Sequence, residues 1–376
     1  MSTAITTAFM QAAGKKLLLL GFVLAWVLIG HIAQAAEPTE NAKPNSSAEA
    51  SVSALAVKMQ HLDLFDTKRQ RPVKITLWYP AASHCQQALI CLADGAILHQ
   101  AVLLSHGAMG AAQNYQWLGK QLAAQGFITV GVNHYGESWI YGAEHVNPAA
   151  VMQFWQRPLD LTFVLDVLEQ NQLAGREIFS QPVQWQNTTA IGHSSGGASV
   201  LALAGAEWDL TQAAVYCKTA AAATDRSCAY LVKTKVEAMN TSTVVSASGE
   251  AHQLPTLPKQ LSWQDNRVKR LVLLDPALGH VATTKSLTQL KIPVLVVGSV
   301  KNDFLPYARH AGFYASQIPG AKELPLDQGE GHFVYLDSCT HQYQALGVAL
   351  CKDRAGVNRA AVQQQLLPLV FSMLQH

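Results

Sequence analysis

The chain is predicted to adopt an α/β fold: a mostly parallel central sheet with helices on both faces and an inserted lid or cap segment. Three observations predict it. Short apolar runs bounded by turn residues alternate with stretches of helical periodicity from residue 54 onward, which is how strand–helix units build a parallel sheet with ligands at the carboxyl ends of its strands. The segment Gly192-His193-Ser194-Ser195-Gly196 stands between the apolar Ala190-Ile191 and a helix-compatible run, Ala198 to Ala206. Strand, sharp turn and helix form the context that lifts a serine hydroxyl above a sheet. Residues 205–266 are too long for a plain helix-to-strand connection, so they are expected to form the inserted lid.

With 376 residues, 49% hydrophobic and 14% charged, the chain can bury a large core. Its N-terminus carries Lys15-Lys16, an apolar run from Leu17 to Gly30 and the small-x-small sequence Ala33-Gln34-Ala35. That order describes a secretory signal peptide over residues 1–35, cleaved after Ala35. The alternative is an uncleaved membrane anchor, for which the run is shorter than the about 20 residues a bilayer requires. The expectation is export to the periplasm or cell exterior, with no stable membrane span after cleavage. Without Lys15 and Lys16 the chain carries 25 Lys+Arg against 25 Asp+Glu, and a neutral chain lacking basic runs has no electrostatic footprint for nucleic acid. Residues 36–53, rich in Ala, Glu, Pro, Asn and Ser, read as a flexible linker. One domain over 54–376 is therefore expected.

All six cysteines lie in the exported part, where an oxidising compartment favours disulfides. Six cysteines allow 15 connectivities, but these fall into three close couples, Cys85 with Cys91, Cys217 with Cys228 and Cys339 with Cys351. Those three local disulfides are expected. Zinc is the competing use, and no Cys-x2-Cys couple is present.

The elements follow in order. Ala56 to Asp63 and Val73 to Tyr79 read as an antiparallel hairpin that Pro80 ends. Ala101 to Ser105 is a continuous apolar run suited to a buried parallel strand, leading into His106-Gly107-Ala108. A helix from Asn114 to Gln125, with Trp117, Leu118 and Leu122 on one face, is closed by Gly126. Phe127 to Val132 is a strand. Pro158 to Glu169 places Leu161, Val164, Leu165 and Leu168 at helical spacing with Asp160 and Asp166 opposite, as on a surface helix. After the Ser194 turn, a helix is expected at Ala229 to Ala238 within the insertion. Strands follow at Val268 to Leu274, Ile292 to Gly298 and Lys322 to Leu326, with helices at Tyr307 to Gln317 and Arg359 to Leu374.

A serine hydroxyl needs a base within hydrogen-bond reach and a third group to orient that base. In this fold class the chain order is nucleophile, acid, base. Ser194 is the candidate nucleophile. Among 14 histidines, His332 in Gly331-His332-Phe333 follows the last short strand and takes the base position. Two carboxylates compete for the acid: Asp303, after the penultimate strand and favoured by the general template, and Asp275, at the end of the strand before it. The backbone N–H groups of Ser195 and Ala108 are the candidate oxyanion donors. His106 and His193 are expected to be structural. Tyr135 and Trp139 are candidates to line a pocket, although aromatic residues in loops commonly serve packing.

Taken together, Trp78-Tyr79-Pro80, Ser105-His106-Gly107, Arg157-Pro158-Leu159-Asp160, Gly192-His193-Ser194-Ser195-Gly196-Gly197, Leu274-Asp275-Pro276 and Gly331-His332-Phe333 resemble the predicted dienelactone hydrolases, relatives of the platelet-activating factor acetylhydrolases within the α/β-hydrolase fold. The resemblance runs from about Ala54 to the C-terminus and implies serine hydrolase chemistry. True dienelactone hydrolases use a cysteine where this chain has Ser194, so lactone hydrolysis is not implied. The acetylhydrolase branch takes its acid from the position similar to Asp275, and most α/β-hydrolases from the one similar to Asp303. Where the family usually has Phe or Met after the nucleophile, this chain has Ser195.

The expected function is an exported, cofactor-free serine esterase acting on a small-molecule or lipid ester through an acyl-enzyme on Ser194. A lipase or phospholipid acetylhydrolase and a polyester hydrolase are the rivals among enzymes. From another class, the rival is a catalytically silent binding protein on the same fold.

Overall fold

The computed structural model describes residues 55–94, 99–209, 211–233, 243–245, 251–253, 262–340 and 343–375. The expected leader and linker lie outside them. An eight-stranded sheet forms the centre: β1 (Val57–Asp66), β2 (Arg71–Pro80), β3 (Gln100–Ser105), β4 (Ile128–Asn133), β5 (Gln184–His193), β6 (Val268–Leu274), β7 (Val294–Ser299) and β8 (Lys322–Leu326). Their spatial order is β1-β2-β4-β3-β5-β6-β7-β8. The hairpin β1–β2 pairs antiparallel, as does β2 with β4, and every pairing from β4 to β8 is parallel. This is an α/β-hydrolase fold.

The continuous apolar runs follow from burial on both faces. Successive residues of a strand point to opposite sides, so Leu103, Ala190, Leu271 and Val296 enter one core layer while Leu104, Ile191, Val272 and Val297 enter the other. The helices are α1 (Gln116–Ala124), α2 (Gln156–Glu169), α3 (Ser195–Leu203), α4 (Thr211–Tyr216), α5 (Cys228–Lys233), α6 (Thr284–Leu287), α7 (Ala311–Gln317) and α8 (Arg359–Gln375). The first layer is completed by Leu161, Val164, Leu165 and Leu168 of α2 with Val200 and Leu201 of α3, the second by Leu118 and Leu122 of α1 with Leu366 and Val370 of α8.

Between α3 and β6 the described chain contains α4, α5 and a short hairpin, Thr243–Val245 with Ala251–Gln253. The helix expected at Ala229 to Ala238 is seen as Cys228–Lys233, and its remainder falls outside the described residues. Cys85–Cys91, Cys217–Cys228 and Cys339–Cys351 are bonded, which fits folding in an oxidising compartment. Among the described residues, no helix is long and apolar enough to cross a membrane.

One face of α2 differs from the expectation. Asp160 is fully buried rather than solvent-facing. Its Oδ1 accepts from Arg69 Nη1 and Arg71 Nε, both at 2.8 Å, and its Oδ2 from His134 Nδ1 at 3.0 Å. Arg69 of the β1–β2 turn and Arg71 at the start of β2 cover this carboxylate, so it meets cations instead of water; Asp166 is exposed, as expected, and pairs with Arg267 at 2.7 Å. His134 is held to about 4 by burial and by nearby Arg157; the neutral ring donates from Nδ1 and accepts at Nε2 from Ser105 Oγ, 2.9 Å away. Removing one member of a buried ionic group strands the others. Asp160→Ala is therefore expected to lower the unfolding free energy by about 3–5 kcal/mol, measured as a reduced urea midpoint with an unchanged slope.

Candidate active site

Strand β5 ends at His193 and α3 begins at Ser195, so Ser194 alone makes the turn, with φ 55° and ψ −121°. A non-glycine residue held there stores strain of order 1–3 kcal/mol and persists only if its surroundings enforce it. Here they do. Ser194 N–H donates to Leu274 O on β6 at 3.0 Å, and Ser194 O accepts from Gly197 N and Ala277 N, each at 2.9 Å. The turn also packs against the backbone of β3: a Cβ on Gly196 would lie 2.0 Å from Ser105 O, and one on Gly192 2.2 Å from Gly196 O. Neither position tolerates a side chain.

His332 is buried against this turn. Its ring centroid is 4.6 Å from that of His193 and 5.0 Å from that of Phe304, which stacks on it at 13°. Burial, with His193 and His310 nearby, holds the imidazole well below its ordinary pKa, so it is neutral and able to accept a proton. Its Nε2 is buried without a hydrogen-bond partner among the described residues.

The two candidate acids occupy different places. Asp275 Oδ2 lies 3.8 Å from His332 Nδ1 and is likewise buried and unpartnered. Its Oδ1 accepts from Ser299 N at 2.7 Å. Burial pushes this carboxyl up to about 7 against the pull of the Ser299 N–H. Asp303 Oδ1 accepts from the backbone N–H of His332 at 3.0 Å, and Oδ2 faces Arg354 at 3.4 Å; it holds the histidine loop rather than approaching the ring's Nδ1. The side chain that does approach is its neighbour Asn302. Asn302 Oδ1 accepts from Phe304 N and Leu305 N, both at 2.8 Å, which fixes its amide so that Nδ2 faces His332 Nδ1 at 3.2 Å.

Ser195 and Ala108, whose N–H groups are the expected oxyanion donors, line one cavity with Ser194. Ser195 opens α3, where first-turn N–H groups have no intrahelical acceptor. The loop carrying Ala108 is anchored by a buried pair: Arg157 binds Glu137 through two contacts of 2.8 Å and donates from Nη1 to His106 O at 2.7 Å. Burial alone would raise Glu137, but Arg157 holds it below its ordinary value. His106 braces the loop further, with Nδ1 donating to Gly107 O at 2.7 Å and Nε2 accepting from His134 N.

A second chain of buried contacts crosses the site. Gly107 N–H donates to Tyr115 Oη at 3.2 Å, Tyr115 Oη–H to His193 Nδ1 at 2.7 Å, and His193 Nε2–H to His332 O at 2.9 Å. Burial lowers His193 to about 4, so this ring stays neutral with one nitrogen donating and the other accepting. Through these bonds His193 ties the loop carrying Gly107 and Ala108 to the histidine loop. Tyr115, Asn302 and Glu137 were not singled out by the sequence; Arg157 was, within Arg157-Pro158-Leu159-Asp160.

The cavity measures about 70 Å³ and is mostly apolar, with Ala198 and Ala202 of α3, Ala213 of α4, Ala277 and Phe304 in its wall. Tyr135 and Trp139 are not in that wall: Tyr135 packs edge-on against Tyr141, and Trp139 is exposed.

No protein-family model and no curated protein matches the chain. Among solved structures, a ferulic acid esterase from Streptomyces cinnamoneus is similar, with 20% sequence identity, a TM-score of 0.45, and 77% of this chain and 78% of that chain covered.

The close approach of Gly196 to β3 yields a direct expectation. Gly196→Ala should destabilise the fold by about 3 kcal/mol or more, the upper range for overpacking, because the added carbon meets backbone that cannot rotate away. Thermal and urea unfolding measure it; wild-type stability in this variant would show that the turn is not sterically fixed.

Proposed function

We propose that the protein is an exported serine hydrolase that cleaves carboxylic esters through an acyl-enzyme on Ser194. The observation that carries this reading is the strained Ser194 turn with a neutral, buried imidazole packed against it and two loops offering N–H groups at the same cavity. In the reaction, Ser194 Oγ bonds to the ester carbonyl carbon as its proton passes to His332 Nε2. The carbonyl oxygen takes the displaced electron pair and is held by the N–H groups of Ala108 and Ser195. Collapse expels the alcohol, which takes the proton from Nε2. Water then gives its proton to Nε2 while its oxygen bonds to the acyl carbon; collapse breaks the bond to Ser194 Oγ, which takes that proton back from Nε2 as the acid leaves.

We assign the orienting acid to Asp275. Its carboxylate is the one beside His332 Nδ1, and the 3.8 Å separation is of the kind that tightens when substrate binds. Asp303 supports the loop through the His332 N–H. Asn302 Nδ2 competes for the same ring nitrogen at rest and must yield when Nδ1–H turns to Asp275. The mostly apolar wall of the cavity suits an apolar acyl group.

A fluorophosphonate probe is expected to label Ser194, and Ser194→Ala to lower turnover of p-nitrophenyl acetate by about 10⁴-fold or more; folded protein left unlabelled would sink the assignment. Asp275→Asn should cost about 10⁴-fold in kcat and Asp303→Asn less than about tenfold. The pH dependence has a definite sign. Asp275 is raised to about 7 and acts as the carboxylate, so kcat/KM should fall as pH drops through 7, and Asp275→Asn should lose that limb of the profile.

A further inference from the structure

Beside the cavity that Ser194 lines, three side chains from distant parts of the chain converge: Asp225 in the segment between α4 and α5, His280 in the turn after β6, which also lines that cavity, and His310 at the start of α7. Their ligand atoms all lie within 4.8 Å of one another. We propose that they form a binding site for a divalent transition metal, Zn²⁺, that clips the inserted segment to the sheet core.

The arrangement is incomplete as a set of hydrogen bonds. Asp225 Oδ2 accepts from His310 Nε2 at 2.8 Å, which accounts for two members. His280 Nδ1 faces the same oxygen from 3.9 Å, too far for a hydrogen bond, and is buried without a partner among the described residues, on a side chain only 4% exposed. A buried orphan nitrogen needs an explanation. Two imidazoles and one carboxylate are a common zinc ligand set, with bonds of about 2.0–2.2 Å that place tetrahedral neighbours about 3.3–3.5 Å apart. Side-chain shifts of under about an ångström bring the separations on either side of Oδ2 to that value.

The surroundings support ligation. Asp225 Oδ1 is fixed by Ser227 N at 2.9 Å and Ser227 Oγ at 2.5 Å, leaving Oδ2 presented to the histidines. Tyr216 donates to Oδ2 at 3.0 Å and its ring stacks on His280 at 4.4 Å. Such outer contacts orient metal ligands. The cations adjacent in sequence, Arg226 and Arg309, are both exposed to solvent, and Arg226 donates to Leu346 O. With Nε2 on the metal, His310 would carry its hydrogen on Nδ1 and give up the long 3.4 Å contact from Gly279 N. Three protein ligands leave the fourth position to water. The Cys217–Cys228 disulfide brackets Asp225, so the ion would join an already braced segment to two others distant in sequence, the case in which a cross-link constrains the unfolded chain most.

The test uses the full mature protein, stripped with a chelator and titrated with Zn²⁺ in competition with a chromophoric chelator. One equivalent should bind and raise Tm, with Mg²⁺ giving no shift. His280→Phe keeps the ring against Tyr216 and removes the donor atom; it should weaken binding at least about tenfold and abolish the Tm shift. No uptake by the wild type, or equal uptake by His280→Phe, overturns the proposal. If that variant does not fold, Co²⁺ added to the stripped wild type decides: tetrahedral d–d absorbance supports the site, and its absence refutes it. Neither readout depends on hydrolase activity.

Discussion

The carboxyl edge of the sheet is governed by how closely the Gly192–Gly196 turn approaches β3. Gly196 rests against Ser105 O, and Ser194 is held at positive φ by bonds to β6 and to the chain just beyond it. Three strands therefore over-determine one serine. A residue in that conformation would relax if any of the three retreated, so the parallel pairing of β3, β5 and β6 is a condition of the candidate site as well as of the core.

Around that turn, the loops are held by neutral, buried histidines together with buried ion pairs. His106, His134 and His193 each donate from one ring nitrogen and accept at the other. Desolvation keeps these rings uncharged, which fixes their tautomers and with them the positions of Gly107 and the His332 carbonyl. The charged groups, Arg157 with Glu137 and Asp160 with Arg69 and Arg71, sit behind this layer and hold it from the far side. Polar groups buried so densely specify one arrangement only when nearly all are satisfied. Asp275 Oδ2 and His332 Nε2, both without a partner among the described residues, are therefore informative exceptions.

Much of this was legible in the sequence. The strands of the sheet, the helices covering it and the Ser194 turn follow from periodicity and from small residues at two positions, because such signals are local. What was not legible depends on the partner across space. The spacing of Asp160 in α2 identifies a polar face but not that Arg69 and Arg71 cover it. Asp303 and Asn302 are adjacent in sequence, yet one turns to the His332 backbone and the other to its ring. Choosing between Asp275 and Asp303 needs the loop geometry that periodicity does not encode. Asp225, His280 and His310 are too far apart in the chain to form any recognisable spacing.

The strand order has a consequence for how the molecule comes into being. The Ser194 turn lies near the middle of the chain, Asp275 follows only after the long insertion, and the loop bearing His332 follows β8, at one edge of the sheet. A polypeptide emerging N-terminus first can assemble β1 to β5 early, but Ser194 is held in place only once β6 has joined them, and His332 comes to the same edge only when the far side of the sheet has closed. Assembly of the candidate site is thus tied to completion of the whole scaffold.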